Sequence, residues 1–211
     1  MFPIVSLTAS ARNVYMEVKA GACFPQNKNK EEAFFKSGSP VSAEIGYRLE
    51  ALRLGIQLGY SRYKMEGNEA GISVFNGGDE DLNKTFTAFA ITSNIYYDYK
   101  LSKKFFAYLG AGIGFMRINF LLTDKTGTIV FSKNNARYSL VKNCLLGQFM
   151  AGITYDINSS WALSLGYRCM RMKSSIQFHN AEIEALDDPS LLPPLKTPLL
   201  HTVEIGLRYT F

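Results

Sequence analysis

The sequence predicts an all-β chain, an eight-stranded antiparallel up-and-down transmembrane β-barrel. Three observations predict it. Apolar and polar residues alternate in eight separate segments, the mark of strands with one apolar and one polar face. The connections between those segments are short and long in strict alternation. The final octet, Glu204-Ile205-Gly206-Leu207-Arg208-Tyr209-Thr210-Phe211, keeps the alternation up to a closing aromatic, where soluble domains more often fray into a polar tail.

The first predicted strand, 14–24, carries Val14, Met16, Val18, Ala20, Ala22 and Phe24 on one parity. The second, 41–48, carries Val41, Ala43, Ile45 and Tyr47, and the third, 52–62, carries Leu52, Leu54, Ile56, Leu58 and Tyr60. The fourth, 85–99, presents Phe89, Ile91, Ile95, Tyr97 and Tyr99. The fifth, 105–117, presents Phe105, Ala107, Leu109, Ala111, Ile113 and Phe115. The sixth, 145–157, holds Phe149, Ala151, Ile153, Tyr155 and Ile157, and the seventh, 161–171, holds Trp161, Leu163, Leu165 and Tyr167. The eighth is 201–211. No proline interrupts these segments, and β-branched and aromatic residues are frequent in them.

Short links join strands two to three (49–51), four to five (100–104) and six to seven (158–160). The other four connections, about 25–40, 63–84, 118–144 and 172–200, are long. Confining every long connection to one end is the habit of membrane barrels, and loops of that length are uncommon unless functional.

Composition bounds the function. The chain has 211 residues, 47% of them hydrophobic, with 12 Tyr, 15 Phe and 1 Trp. No segment reaches the ~20 apolar residues of a membrane helix, which leaves membrane strands untouched. The net charge of +5 comes from basic residues spread along the chain and matched by acids, so no nucleic-acid partner is expected. Cys23, Cys144 and Cys169 show no metal-ligand spacing. Cys23 and Cys169 read as small lipid-facing residues. At the start, Ala9-Ser10-Ala11 follows a short apolar run and reads as the cleavage site of a truncated signal segment spanning 1–12, with the barrel over 13–211.

Two features set the outward face. The polar parity is rich in small residues: Gly21, Gly46, Gly55, Gly59, Gly110, Gly112, Gly114, Gly152, Gly166 and Gly206. An eight-stranded barrel is just wide enough for side chains, so small residues belong inside. The same parity carries Glu17, Glu44, Asp98, Asp156 and Glu204 against Lys19, Arg48, Arg53, Arg168 and Arg208. Equal numbers of acids and bases suit a paired interior network, because an unpaired buried charge is costly. The apolar parity then faces lipid. A soluble lipocalin-like barrel would invert this arrangement.

The stretches Tyr108-Leu109-Gly110-Ala111-Gly112-Ile113-Gly114-Phe115 and Ala151-Gly152-Ile153-Thr154-Tyr155-Asp156, with Trp161, Tyr167 and the final octet, resemble the small eight-stranded bacterial outer-membrane proteins. That group contains outer-membrane proteins A and X and the opacity-like surface antigens. Glu204, Gly206, Tyr209 and Phe211 fill the positions of its assembly signal. The resemblance implies the outer membrane of a bacterial cell, handling by the barrel assembly machinery, and adhesion or immune evasion rather than chemistry.

Candidate chemistry is sparse. Gly110-x-Gly112-x-Gly114 lacks the following helix that a phosphate loop needs. His201 is followed by Thr202 and Val203, with no nearby serine of the kind expected in a lipid A-modifying enzyme, His179 lies in a long connection, and Asp79-Glu80-Asp81 lacks the spacing of a calcium loop. No cofactor, metal or catalytic residue is expected.

One pattern is sharper. Arg62, Arg117, Arg171 and Lys173 share the lipid-facing parity at the outer ends of strands three, five and seven. They predict a partial basic belt that contacts the lipid A phosphates of lipopolysaccharide. The last long connection holds Leu191-Leu192-Pro193-Pro194-Leu195 and Pro198-Leu199-Leu200, suited either to a partner or to the barrel mouth. The expectation is a monomeric surface protein, structural or adhesin-like, that meets a host surface ligand through four loops. A narrow pore or small-solute transporter is the alternative.

Overall fold

The computed structural model describes residues 13–26, 34–66, 83–123, 140–173 and 199–211. Eight strands run in chain order: β1 (Val14–Gln26), β2 (Phe34–Leu49), β3 (Leu52–Glu66), β4 (Asn83–Lys100), β5 (Phe105–Thr123), β6 (Leu140–Asp156), β7 (Trp161–Lys173) and β8 (Leu199–Thr210). Each pairs antiparallel with the next, and β8 pairs with β1 to close the barrel. Closure leaves no sheet edge with unpaired backbone groups, the condition for crossing lipid with strands.

Register fixes the geometry. Paired partners followed from Val14 run through Tyr47, Leu54, Ile95, Ala111, Phe149, Cys169 and His201 and return to β1 at Phe24. Phe24 lies ten residues from the start, so the shear is ten. Eight strands with that shear tilt by about 43° from the barrel axis. At a rise of about 3.3 Å per residue, Leu52 to Arg62 then climbs about 24 Å, close to the apolar band of such barrels.

The strands reach further at the long-connection end than the apolar alternation predicts. β2 begins at Phe34 rather than at 41, β5 runs to Thr123 rather than 117, and β6 begins at Leu140 rather than 145. Above the lipid band no apolar solvent imposes the two-residue period, so these extensions are silent in the sequence. β1 and β2 also include Pro25 and Pro40. Pairing between the two strands lapses after Ala20↔Val41 and resumes at Cys23↔Gly38, bracketing Pro40. Proline has no N–H to give the ladder there.

The short turns explain themselves chemically. Leu49 pairs with Leu52 around Glu50-Ala51, and Glu50 takes a φ of 51°. In the β6–β7 turn, Asn158 Oδ1 accepts from the backbone N–H groups of Ser160 (2.9 Å) and Trp161 (2.8 Å). In the β4–β5 turn, Ser102 Oγ accepts from Phe105 N–H at 3.2 Å.

Candidate functional site

All ten charged residues of the polar parity point into the lumen. Glu17 and Lys19 come from β1, Glu44 and Arg48 from β2, Arg53 from β3 and Asp98 from β4. Asp156 comes from β6, Arg168 from β7, and Glu204 and Arg208 from β8. Eight of them are buried, four acids and four bases. Arg48 and Asp156, nearest the short turns, keep side-chain exposures of 29% each.

Arg53 lies at the centre. Its Nε and Nη2 donate to Asp98 Oδ2 and Oδ1 at 2.8 and 2.9 Å, and its Nη1 is 3.7 Å from Glu17 Oε2. The guanidinium also faces the rings of Tyr96 (4.5 Å), Tyr108 (5.4 Å) and Tyr15 (5.6 Å). Lys19 Nζ sits among three carboxylates, 3.5 Å from Glu17 and 4.0 Å from both Glu44 and Glu204. Glu44 accepts from the hydroxyls of Tyr96 (2.6 Å) and Tyr15 (2.7 Å) and from Asn94 Nδ2 (2.9 Å). Arg168 donates to Glu204, and Arg208 stands 3.9 Å from Asp156. Charges this deep hold only when each has a partner, and here the partners come from the same, the adjacent or the next-but-one strand.

Above the charges lies a neutral layer. Gln57 Nε2 donates to Ser42 Oγ (3.0 Å), Gln148 Nε2 donates to Asn94 Oδ1 (2.7 Å), and Arg168 Nη1 donates to Gln57 Oε1 (3.2 Å). Tyr15, Tyr96, Tyr108, Gln57, Thr92, Asn94 and Gln148 were given no role in the lumen from the sequence. Their inward parity was the available signal.

Glycines make room for the tyrosines. A Cβ on Gly166 would collide with the Tyr108 hydroxyl, and one on Gly110 would stand 2.5 Å from the Tyr96 ring. Gly59 differs: nothing lies closer than 3.9 Å to its position, so crowding does not require glycine there.

The outer third of the lumen is apolar, which the sequence reading missed. Cys23, Met116, Cys144, Leu146, Met170, Met172 and Leu200 form part of one buried cluster. This corrects the placement of Cys23. It falls on the odd, inward parity of β1, is fully buried, and accepts a hydrogen bond from Tyr63 Oη at 3.6 Å. Cys169 is on the lipid-facing parity of β7, half-buried.

The outer surface is the inverse of a soluble protein's. Ile56, Leu109, Ile113, Phe115, Phe149 and Ile205 are all exposed, and Phe149 reaches 73%. At the short-turn end aromatics gather: Trp161 and Tyr209 at 4.9 Å, Tyr209 and Phe211 at 5.0 Å, Phe105 and Tyr155 at 4.8 Å. Aromatic girdles of this kind mark membrane–water interfaces. The four residues of the assembly signal divide accordingly. Glu204 and Gly206 face the lumen, while Tyr209 and Phe211 join the girdle, with Phe211 N–H donating to Val14 O at 3.0 Å.

Arg62, Arg117, Arg171 and Lys173 are all exposed on the outward parity. Once strand tilt is included, the register places them within about 5 Å of a common height, with Arg62 and Arg117 two residues beyond Tyr60 and Phe115 on their strands. His201 lies on the outer wall. Tyr167 Oη and His201 Nδ1 are hydrogen-bonded, and Nε2 is 3.3 Å from Gln26 Oε1. Both ring nitrogens are therefore engaged with neutral groups. His179, Asp79-Glu80-Asp81, the segment 1–12 and residues 191–198 lie outside the described residues.

A closed barrel with an apolar exterior and a charged interior defines a transmembrane β-barrel, and excludes the lipocalin arrangement. The chain belongs to the outer membrane protein β-barrel domain family, whose sequence model matches residues 2–211. It is a bacterial outer-membrane protein. Among curated proteins it is similar to uncharacterized proteins of Brucella abortus (strain 2308) and Brucella suis biovar 1. Each is 23% identical over 216 residues, covering 87% of this chain and 72% of the relative. Among solved structures it is similar to Neisserial surface protein A (16% identity, TM-score 0.60, covering 96% of this chain and 98% of the other). It is also similar to a major outer membrane protein from Thermus thermophilus (15% identity, TM-score 0.54, covering 94% and 99%). These likenesses extend to the fold.

Proposed function

We propose that this protein is a monomeric, non-enzymatic surface antigen, structural or adhesin-like, whose barrel serves as a platform for its four long connections. The observation that carries this reading is the filled lumen. Among the described residues, charge, amide and apolar layers follow one another along the interior, which leaves the barrel little to do as a conduit. The long connections all leave from the same end, and in such barrels that end faces outward while the short turns face the periplasm. A host surface ligand is their partner in this reading.

The basic belt completes the platform. Arg62, Arg117, Arg171 and Lys173 sit where the outer-leaflet phosphates of lipopolysaccharide would lie. Arginine binds phosphate bidentately, and salt screens such contacts less at a low-dielectric boundary.

The test replaces the connections 27–33, 67–82, 124–139 and 174–198 one at a time with two-residue turns in the full-length protein, displayed on a non-adherent bacterium. Loss of host-cell binding in at least one barrel that still folds supports the reading. Absence of host-cell binding by the unaltered protein contradicts it.

A further inference from the structure

We propose that Cys144, Met116 and Met172 form a binding site for a soft monovalent metal ion, Cu(I), at the outer end of the lumen. The starting observation is a concentration of sulfur. Two of the chain's three cysteines and three of its seven methionines lie in a single buried cluster of ten residues. The lumen of a membrane barrel is ordinarily polar, so an apolar, sulfur-rich layer above a charged one needs its own explanation.

The register gathers three of these sulfur-bearing residues on one patch of wall. Met116 on β5 stands directly opposite Cys144 on β6. Met172 on β7 stands opposite Leu146, two residues along from Cys144. A direct cross-strand pair places Cβ atoms about 5 Å apart, and a diagonal neighbour is still within reach of a long side chain. Methionine is unbranched and flexible, so both thioethers can turn toward the thiol between them. Cys23 belongs to a different part of the layer. β1 and β6 are three strands apart, roughly 14 Å across a barrel of this size. That is twice the separation a disulfide tolerates.

The ligand chemistry selects the ion. One thiolate with two thioethers is a soft donor set, suited to Cu(I) and poor for Mg, Ca or Mn. Among the described residues no group of three His, Cys, Asp or Glu side chains stands together to hold a metal, so the thioethers are essential to the site. Charge points the same way. As the metal–sulfur bond forms, the Cys144 thiol loses its proton to water and the metal keeps its oxidation state. A monovalent cation on one thiolate is neutral overall, and a neutral centre is the only kind an apolar layer accommodates without a large desolvation cost. A divalent ion would leave a net charge.

The test uses the full-length barrel folded in detergent, in a Cys169→Ser background that removes the lipid-facing thiol. Anaerobic titration with Cu(I) against a chromophoric chelator, and with Ag(I) as a redox-inert probe, is expected to show one tightly held equivalent with an all-sulfur coordination sphere by X-ray absorption. Cys144→Ser should weaken binding at least about tenfold, and Met116→Leu and Met172→Leu should each weaken it by a comparable factor, the scale on which metal sites respond to loss of a supporting group. Cys23→Ser should leave it unchanged. Heat-modifiable migration on gels verifies that every variant is folded. Equal weakening by Cys23→Ser and Cys144→Ser would mean thiol reactivity alone. That outcome overturns the site, as does full binding by both methionine variants. The proposal is independent of the surface-antigen reading, which stands or falls on host-cell binding.

Discussion

Arg53 and Asp98 meet as a two-pronged pair inside the lumen, Nε to Oδ2 at 2.8 Å and Nη2 to Oδ1 at 2.9 Å, joining neighbouring strands β3 and β4. Both residues are buried. Breaking one partner leaves the other charge in a low-dielectric site. Asp98→Ala is expected to cost about 3–5 kcal/mol, read by urea unfolding of the barrel in lipid vesicles. The double variant Arg53→Met/Asp98→Leu should recover part of that loss, because it removes the guanidinium that Asp98 balanced while Glu17 keeps Lys19 at 3.5 Å. A cost below about 1 kcal/mol for Asp98→Ala, the scale of a surface pair, would contradict the buried network.

Two glycines on the same lumen face should respond differently to the same change. A Cβ on Gly114 would collide with the backbone oxygen of Ile91, which cannot swing aside, whereas the position at Gly59 meets nothing closer than 3.9 Å. Gly114→Ala should destabilise by about 1–3 kcal/mol, as overpacking does. Gly59→Ala should be neutral or slightly stabilising. Equal unfolding midpoints for the two variants would show that the lumen wall is not packed as described.

The β2–β3 turn holds a correctable strain. Glu50 adopts a φ of 51°, where an L residue with a Cβ is disfavoured. Glu50→Gly should stabilise the barrel by about 1 kcal/mol, the lower end of the left-handed penalty. A drop in the unfolding midpoint would contradict the turn geometry.

The belt predicts a lipid phenotype. Changing Arg62, Arg117, Arg171 and Lys173 together to Gln removes four outward cations at one height. Lipid A recovered with the protein from lipopolysaccharide-containing membranes should fall several-fold, and the remainder should be insensitive to salt. Unaltered recovery would show that these side chains meet water.

Much of this architecture was legible because lipid imposes a strict period on a strand. Leu54, Ile56, Leu58 and Tyr60 announce β3, and Gly110, Gly112 and Gly114 announce the crowded inner face of β5. Among the described residues, parity set Glu17, Lys19, Glu44, Arg53, Asp98, Arg168, Glu204 and Arg208 on the side that is buried. Legibility failed where that pressure stops. The polar run Lys36-Ser37-Gly38-Ser39-Pro40 is part of β2, yet nothing apolar marks its alternation. The upper lumen failed for a second reason. At Leu145-Leu146 both parities are apolar, and beside Met170 and Met172 the outward positions are the basic Arg171 and Lys173, so the alternation there does not mark an apolar outer face. Cys23 is a different case: it shares the odd, inward parity of Glu17, Lys19 and Gly21, and its apolar neighbours and the fact that a cysteine suits either face drew it to the wrong side. Which partners the lumen charges choose depends on shear and on side-chain reach across the barrel, as with Arg168 of β7, which reaches Gln57 on β3. Spacing along one strand does not encode that.

Single-channel recording on the purified full-length barrel in planar bilayers tests the central claim most directly, that the lumen is filled and the function lies at the connections. The layered interior predicts no steady conductance steps at moderate voltage. It also predicts that steps emerge when the plug is cut back, as in an Arg53→Ala/Arg168→Ala/Met170→Ala variant. Regular ion-conducting steps from the unaltered protein would contradict it and restore the narrow pore.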